Sequence, residues 1–317
     1  MASLDQISAV THRVILPVVV DNIFQSNPTF ALLYKNRVHL DGGRLISQPI
    51  YVTKGGSPTS YSGADTLPSA FDEETTSLDF NWAQYAARIQ ITGLDEARNS
   101  GDAAIVNLLK IKMQGAEANL RQTLGSDLQG DGTGNGGKAL VGLAAMVDDA
   151  TNVATYGNVS RNTFTSMKAV YSANAGVGRA LTMSLLNTNF QAASKDNDRP
   201  TVNVTTPNLF TKYMSLLQPT VRTGDGNTAN MGFPNSLYFG RPVIFDDQVQ
   251  TTPVHKWWML NMRHMTLYAH RNRDFMFVPF QTEADMDVAT AKILFMVQPI
   301  CDSSRLQCQI TDLDPSL

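Results

Sequence analysis

An α+β fold built around one long helix and a long two-stranded excursion is what this chain of 317 residues predicts. Three features of the sequence point to it. Apolar residues recur at three- and four-residue spacing through the single stretch 99–125. The run GGSPTSYSGADTLPSA (55–70) is almost pure turn chemistry, and segments rich in β-branched and aromatic residues flank it. Residues 147–280 then mix short helical and strand patterns, and two apolar strand-like segments follow.

Residues 1–36 read as an arm. Asp5 can cap a short amphipathic stretch, and Pro17 and Pro28 stop it. The apolar run from Val14 to Val20 is interrupted by Pro17 and is much shorter than the ~20 residues of a membrane span. No small-residue cleavage pattern follows it directly, so it reads as neither anchor nor export signal, and the protein is expected to work inside a cell.

Residues 37–93 read as a two-stranded extended loop. RLISQPIYVTK (44–54) leads out, with Pro49 demoting it to an edge or bulged strand. On the return, Leu78, Phe80 and Trp82 alternate on one face, and the alternation resumes out of phase at Tyr85, Ala87, Ile89 and Ile91. A one-residue slip flips the buried face, so a bulge or a change of packing partner is expected there. A two-stranded hairpin is marginal alone in water, so this one is expected to rest on another chain.

In the helix, Ile105, Leu108, Leu109, Met113, Ala116, Leu120 and Leu124 form the apolar stripe. Asn107, Lys110, Gln114, Glu117 and Arg121 form the polar face, and Ser100 or Asp102 supplies the cap. Gly125 and the glycine run after it are expected to end the helix. Further on, helices are predicted at 163–174, 180–194 and 208–217, with strands in TVNVTT, SLYFGRPVIFDDQV and HKWWMLNMRHMTLYAHR. Trp257 and Trp258 would face opposite sides of one strand, buried on both. The tail segments VATAKILFMVQPI and LQCQITDL are predicted to pair as a hairpin around CDSSR.

Composition excludes several classes. Charged residues make up 17% of the chain, below the ~25% typical of soluble domains, and the net charge is −3. A weakly charged, Asn/Thr/Ser/Gln-rich surface suits burial by protein neighbours, and no global field draws in nucleic acid. Cys301 and Cys308 are too far apart for a CxxC site and read as reduced core thiols on adjacent strands. His12, His39, His255, His264 and His270 form no metal-ligand spacing, and structural histidines are the ordinary reading. Asp246-Asp247 and Glu73-Glu74 read as solvated turn carboxylates.

GTGNGGKA (132–139) matches two nucleotide motifs at the level of spacing. It carries the G-x-G-x-x-G of a dinucleotide turn and the G-x-x-x-x-G-K of a phosphate loop, with Ala139 where a metal-binding hydroxyl belongs. Both motifs require a strand before and a helix after. Here a long helix precedes, so Gly132, Gly134, Gly136 and Gly137 read as an inter-domain joint, with Lys138 away from any nucleotide. Asp127, Asp131 and Asn135 lack the ligand spacing and closing glutamate of a calcium loop.

The order of arm, long loop, long helix, glycine joint, mixed α/β domain and returning strands resembles the major capsid proteins of tailed bacteriophages, whose fold is shared with herpesvirus capsid floors. Local pieces are similar too: GDGTG followed by GL after the helix, and G-x-P-V-x-x-D carried by Gly240, Pro242, Val243 and Asp246. The resemblance implies a 1–36 arm, a 37–93 extended loop, a peripheral domain of 94–146 and 281–317 with a spine helix, and a 147–280 axial domain. It implies a structural protein of the virion, not an enzyme, with no cofactor, metal or membrane. Copies would assemble in the host cytoplasm as hexamers and pentamers into an icosahedral shell around double-stranded DNA, touched without sequence preference. Scaffolding, portal and decoration proteins are the further partners; because the sequence starts with the arm, any scaffold is expected to be a separate protein. Lys54, Tyr61, Phe80 and Trp82 are the inter-subunit contact candidates. An encapsulin-type shell of the same fold and a nucleotide-binding enzyme using the 132–138 loop are the alternatives.

Overall fold

Among the described residues, strand pairing forms two large sheets and two separate two-stranded ladders, Ile46–Tyr51 with Thr75–Phe80 and Thr155–Tyr156 with Val159–Ser160. The computed structural model describes residues 27–53, 60–65, 74–98, 102–217, 236–249, 251, 254–282 and 286–317. The first part holds α1 (Pro28–Lys35), β1 (Arg37–Leu40), β2 (Ile46–Tyr51), β3 (Thr75–Phe80), β4 (Ala83–Thr92) and the long helix α2 (Asp102–Gln129). Next come β5 (Thr155–Tyr156), β6 (Val159–Ser160), β7 (Val170–Ser172), β8 (Arg179–Ala180), α3 (Met183–Ala192), β9 (Val202–Thr205) and α4 (Pro207–Leu217). The chain continues through β10 (Leu237–Tyr238), β11 (Arg241–Phe245), β12 (His255–Leu260), β13 (Met265–His270), β14 (Met276–Thr282), β15 (Val288–Cys301) and β16 (Cys308–Asp314).

The first sheet is organised by β15. Its 14 residues pair with β4 along one edge and with β14 and then β13 along the other; β1 adds to β13 in parallel. The second sheet runs β10-β11-β9-β12-β16-β7, with β8 also beside β16. The predicted tail hairpin is therefore absent. β15 and β16 are each flanked by strands on both sides, which leaves neither an edge for the other, and their nearly continuous apolar character reflects that central placement.

The extended loop is shorter than 37–93. β1 and β4 belong to the first sheet, and only β2 and β3 form a separate two-stranded ladder, with Pro49 opposite Ser77 on an edge strand. The phase slip marks the change of partner: Leu78 and Phe80 are buried in the ladder, and Ala83, Ala87, Ile89 and Ile91 are buried once β4 joins β15. The ladder also rests on its own chain. Phe80 lies 4.9 Å from the Tyr156 ring, and the amide of Asp79 donates to Gly157 O at 3.1 Å.

Helix α2 runs 28 residues, about 40 Å at 1.5 Å per residue. Met113, Ala116, Leu120 and Leu124 are buried as the periodicity predicts. Two expectations fail on it. Glu117 is buried, because it stands four residues from Met113 and shares its stripe. Gly125 does not end the helix but lies within it, and a side chain there would meet Asn27 and Gln248 at under 3 Å. Among the described residues no helix is long and apolar enough to cross a membrane.

The helix predicted at 163–174 is a single 3₁₀ turn (Thr165–Met167) followed by β7, because Val170 and Tyr171 pair with β16 in parallel. The other two helices form as predicted. Thr182 caps α3 by accepting from the Leu185 amide at 3.2 Å, and Pro207 takes the first position of α4. Two apolar cores result. Trp258, Leu260, Val202 and Val204 face the larger one with α2 and the first sheet, while Trp257, Met259, Cys308 and Ile310 face α3 and α4. Both tryptophans are fully buried on opposite faces of β12, as the WW pair predicts.

Candidate functional site

The features with functional promise lie at the end of α2 and at the turns that link the two sheets. The glycine turn follows the C-terminus of α2. Gly132, Gly136 and Gly137 have φ of 90°, 66° and 79°, and Asn135 joins them at 50°. That run of left-handed backbone is what requires glycine there; Gly134 is not among the positive-φ residues and lies close to the Ala139 side chain. Asp131 accepts from both the amide and the hydroxyl of Thr133, at 3.0 and 2.6 Å, and these bonds hold its carboxyl below the usual range.

Just beyond, the turn is tied down. Tyr85 of β4 donates its hydroxyl to Asp127 at 2.8 Å and accepts from the Leu140 amide at 3.0 Å. Burial is the main reason that the Tyr85 hydroxyl stays protonated. Val141 N donates to the Gln298 carboxamide of β15, and Ala144 N to Gly130 O. Gly142 sits against the end of α2, where a Cβ would lie 2.4 Å from Leu128 O and 2.5 Å from Asp127 O. Sequence reasoning missed this residue as a steric requirement, although GL was noted as part of a pattern.

No strand leads into the turn and the four-residue helical turn Gly134–Gly137 is kinked, so a phosphate-facing helix start is lacking. Asp127 is engaged by Tyr85, and among the described residues no group of three His, Cys, Asp or Glu could hold a metal ion.

The turn faces the root of the loop. A 290 Å³ cleft is lined by Phe80, Trp82, Gly132, Gly137 and Lys138, bringing together residues some fifty positions apart in the sequence. Phe80 is 5% exposed, enclosed by its own chain. Trp82 is partly buried; its indole donates to Gly43 O at 3.0 Å and its ring meets His270 edge-on. Tyr61 is 66% exposed and remains available to a neighbour, and Lys54 lies outside the described residues.

Two further anchors brace this region. Arg161 is fully buried and donates to four carbonyls, those of Ala145, Met146, Val153 and Met167, at 2.6–3.2 Å. Nothing in the sequence around Arg161 marks it. Asp246, the acidic end of the G-x-P-V-x-x-D pattern, accepts from the Thr29 amide in the first turn of α1 and from the Gln248 amide. It thereby caps a helix 217 residues away, which gives the pattern a structural reason. Burial lifts its carboxyl above the usual range, against those hydrogen bonds.

The strand crossings carry a charged cluster. The turn from β12 to β13 holds His264, and the turn from β15 to β16 holds Asp302. His264 Nδ1 lies 2.7 Å from Asp302, and its Nε2 lies 2.8 Å from Asp198, which precedes β9. Asn261 and Gln307 add an amide pair across the same two turns, at 2.7 and 3.2 Å. Burial pulls the His264 pKa down, but the bond to Asp198 and the charge and bond of Asp302 outweigh it, leaving it above 6.5. For Asp198, burial is outweighed by bonds from His264 and Asn261, so its pKa falls; for Asp302 burial wins and it rises. Cys301 and Cys308 are buried free thiols on strands of different sheets, not adjacent strands, and burial raises both.

No family model matches the sequence, and no curated protein matches it. Solved structures do match. The cyanophage A-1(L) capsid asymmetric unit has a TM-score of 0.67 at 16% identity, over 91% of this chain and 93% of that one. The capsid of Myoviridae phage XM1 gives 0.57 at 10% identity, over 89% and 91%. The holo-SrpI encapsulin complex from Synechococcus elongatus PCC 7942 gives 0.52 at 10% identity, over 76% and 78%. With the loop, the long helix and the two sheets in this order, the chain has the fold of the tailed-phage capsid proteins.

Proposed function

We propose that this protein is the major capsid protein of a tailed bacteriophage, a structural and non-enzymatic subunit of the virion. The observation that carries the reading is the likeness to phage capsid subunits over about nine-tenths of both chains. Copies assemble in the host cytoplasm as hexamers and pentamers and close an icosahedral shell around double-stranded DNA. The low charge supports this role, because a shell must enclose DNA without gripping its phosphates. On this reading α2 and the first sheet form the peripheral unit, and the second sheet with α3 and α4 forms the axial unit. β2 and β3 form the root of the extended loop, Tyr61 and Lys54 are candidates for its inter-subunit contacts, and Gly132 to Gly137 join the two units. Scaffolding, portal and decoration proteins are the further partners.

Negative-stain microscopy and analytical ultracentrifugation of the purified protein test the reading. Capsomers or shells are expected, and a monomer persisting across salt and pH would overturn it. The encapsulin likeness supports a second reading, a shell loaded with enzyme cargo, over a smaller share of the chain. Nuclease-protected double-stranded DNA inside the particles favours the phage reading, and a co-purifying enzyme without DNA favours the other.

A further inference from the structure

Both ring nitrogens of His264 lie within hydrogen-bond distance of a carboxylate, one from each side. A neutral imidazole has a single N–H, so it satisfies only one of these contacts; the other then sets a ring lone pair against carboxylate lone pairs. Both contacts are bonded only when the three groups hold at least two protons among them. That count is met by an imidazolium between two carboxylates, or by a neutral ring beside one protonated acid.

The cluster also has a defined mechanical position. Asp302 N donates to His264 O at 3.1 Å, so backbone and side chain together join the two turns through which the chain moves between sheets. Asp198 brings in the approach to β9 of the second sheet. The charged and titratable groups facing the cluster are few. Arg263 lies 3.8 Å from Asp198, and Asp302 feels Tyr268, Tyr156 and Cys301, none of which titrates near neutrality. Arg305 pairs with Asp196 in the same hairpin as Asp198.

We propose that Asp198, His264 and Asp302 form a proton-controlled latch across the two strand crossings, closed while the cluster holds two protons and opened by the loss of one. The sign follows from linkage. A histidine whose folded pKa lies above 6.5 adds stability that is fully present below 6.5 and is lost as pH rises through the folded value. Asp198, held low, keeps its contribution until the pH falls into the acid range. The latch is therefore closed in mildly acidic solution and opens as the pH rises through the folded pKa, which lies above 6.5.

Hydrogen exchange read by mass spectrometry on the full chain, free or assembled, tests this between pH 6 and 9 after correction for intrinsic exchange. In the unmodified protein, protection at 262–265 and 301–305 should fall roughly tenfold across that range, the scale of one charge-assisted bond. Peptides within the β4–β15 pairing should not change. Asp302→Asn offers the ring a carboxamide that can donate or accept, so neutral His264 can bond on both sides and protection should persist to pH 9. His264→Gln should be flat across the range. Protection independent of pH in the unmodified protein, or an Asp302→Asn variant that follows the same fall, would overturn the proposal. The Asp302→Asn comparison stands even where His264→Gln fails to fold.

Discussion

The turn after α2 and the turns that link the two sheets are both tied down, but by different chemistry. At the glycine turn, left-handed backbone and hydrogen bonds made by Tyr85 and Gln298 hold the end of α2 and the segment after it against β4 and β15. At the β12–β13 and β15–β16 turns, an imidazole and two carboxylates do the holding. The first is set by shape and is insensitive to protons near neutrality; the second depends on them. A fold that must hold its shape and still respond to its surroundings gains from keeping these two properties in separate turns.

Substitutions can break or sharpen that contrast. The largest effect should come from Arg161→Met, which leaves four inward carbonyls without a donor. A loss of about 4 kcal/mol is expected in denaturant unfolding, enough to deplete soluble protein. Gly142→Ala should follow, at about 3 kcal/mol, since its methyl would overlap the backbone oxygens at the end of α2. Gly137→Ala is the matched control: open space surrounds it, so only the φ of 79° is penalised, by about 1 kcal/mol. Equal losses for the two alanines would show that the turn is not held by close packing.

Tyr85→Phe removes a donor to Asp127 and an acceptor for Leu140, and should cost about 1–2 kcal/mol. Its deficit should be the same at pH 6 and pH 9, because the hydroxyl stays protonated throughout. A deficit that changes across that range would erase the distinction between the two joints. The smallest effect is a null one. Burial pushes the Cys301 thiol up to about 12 and the Cys308 thiol higher, so a thiol reagent at pH 8 should label neither until the protein unfolds.

Much of this was legible in the sequence where a pattern is local. The alternation slip near Trp82 marked a change of strand partner, and the adjacent Trp257 and Trp258 announced two cores. The tail misled because an apolar strand declares that it is central and does not declare in which sheet. β15 and β16 look alike in composition and take different sheets. Phe80 misled as a contact candidate because an aromatic at a loop root can be covered by its own chain as readily as by another, and Tyr156 covers it here. Arg161 and the His264 cluster were silent because their partners come from separate turns or from backbone carbonyls that any residue supplies.

The place of β16 has a consequence for the order of synthesis. Within the second sheet, β7 and β8 lie on one side of β16, and β12, β9 and β11 lie on the other; among the described residues the two groups are joined only by β16. The ribosome makes that joining strand after all the others. A nascent chain interrupted before Cys308 holds two fragments of a sheet with unpaired facing edges and cannot close the core shared with α3 and α4 around Ile310. The second core thus stays open, and its sheet stays in two pieces, until β16 is in place.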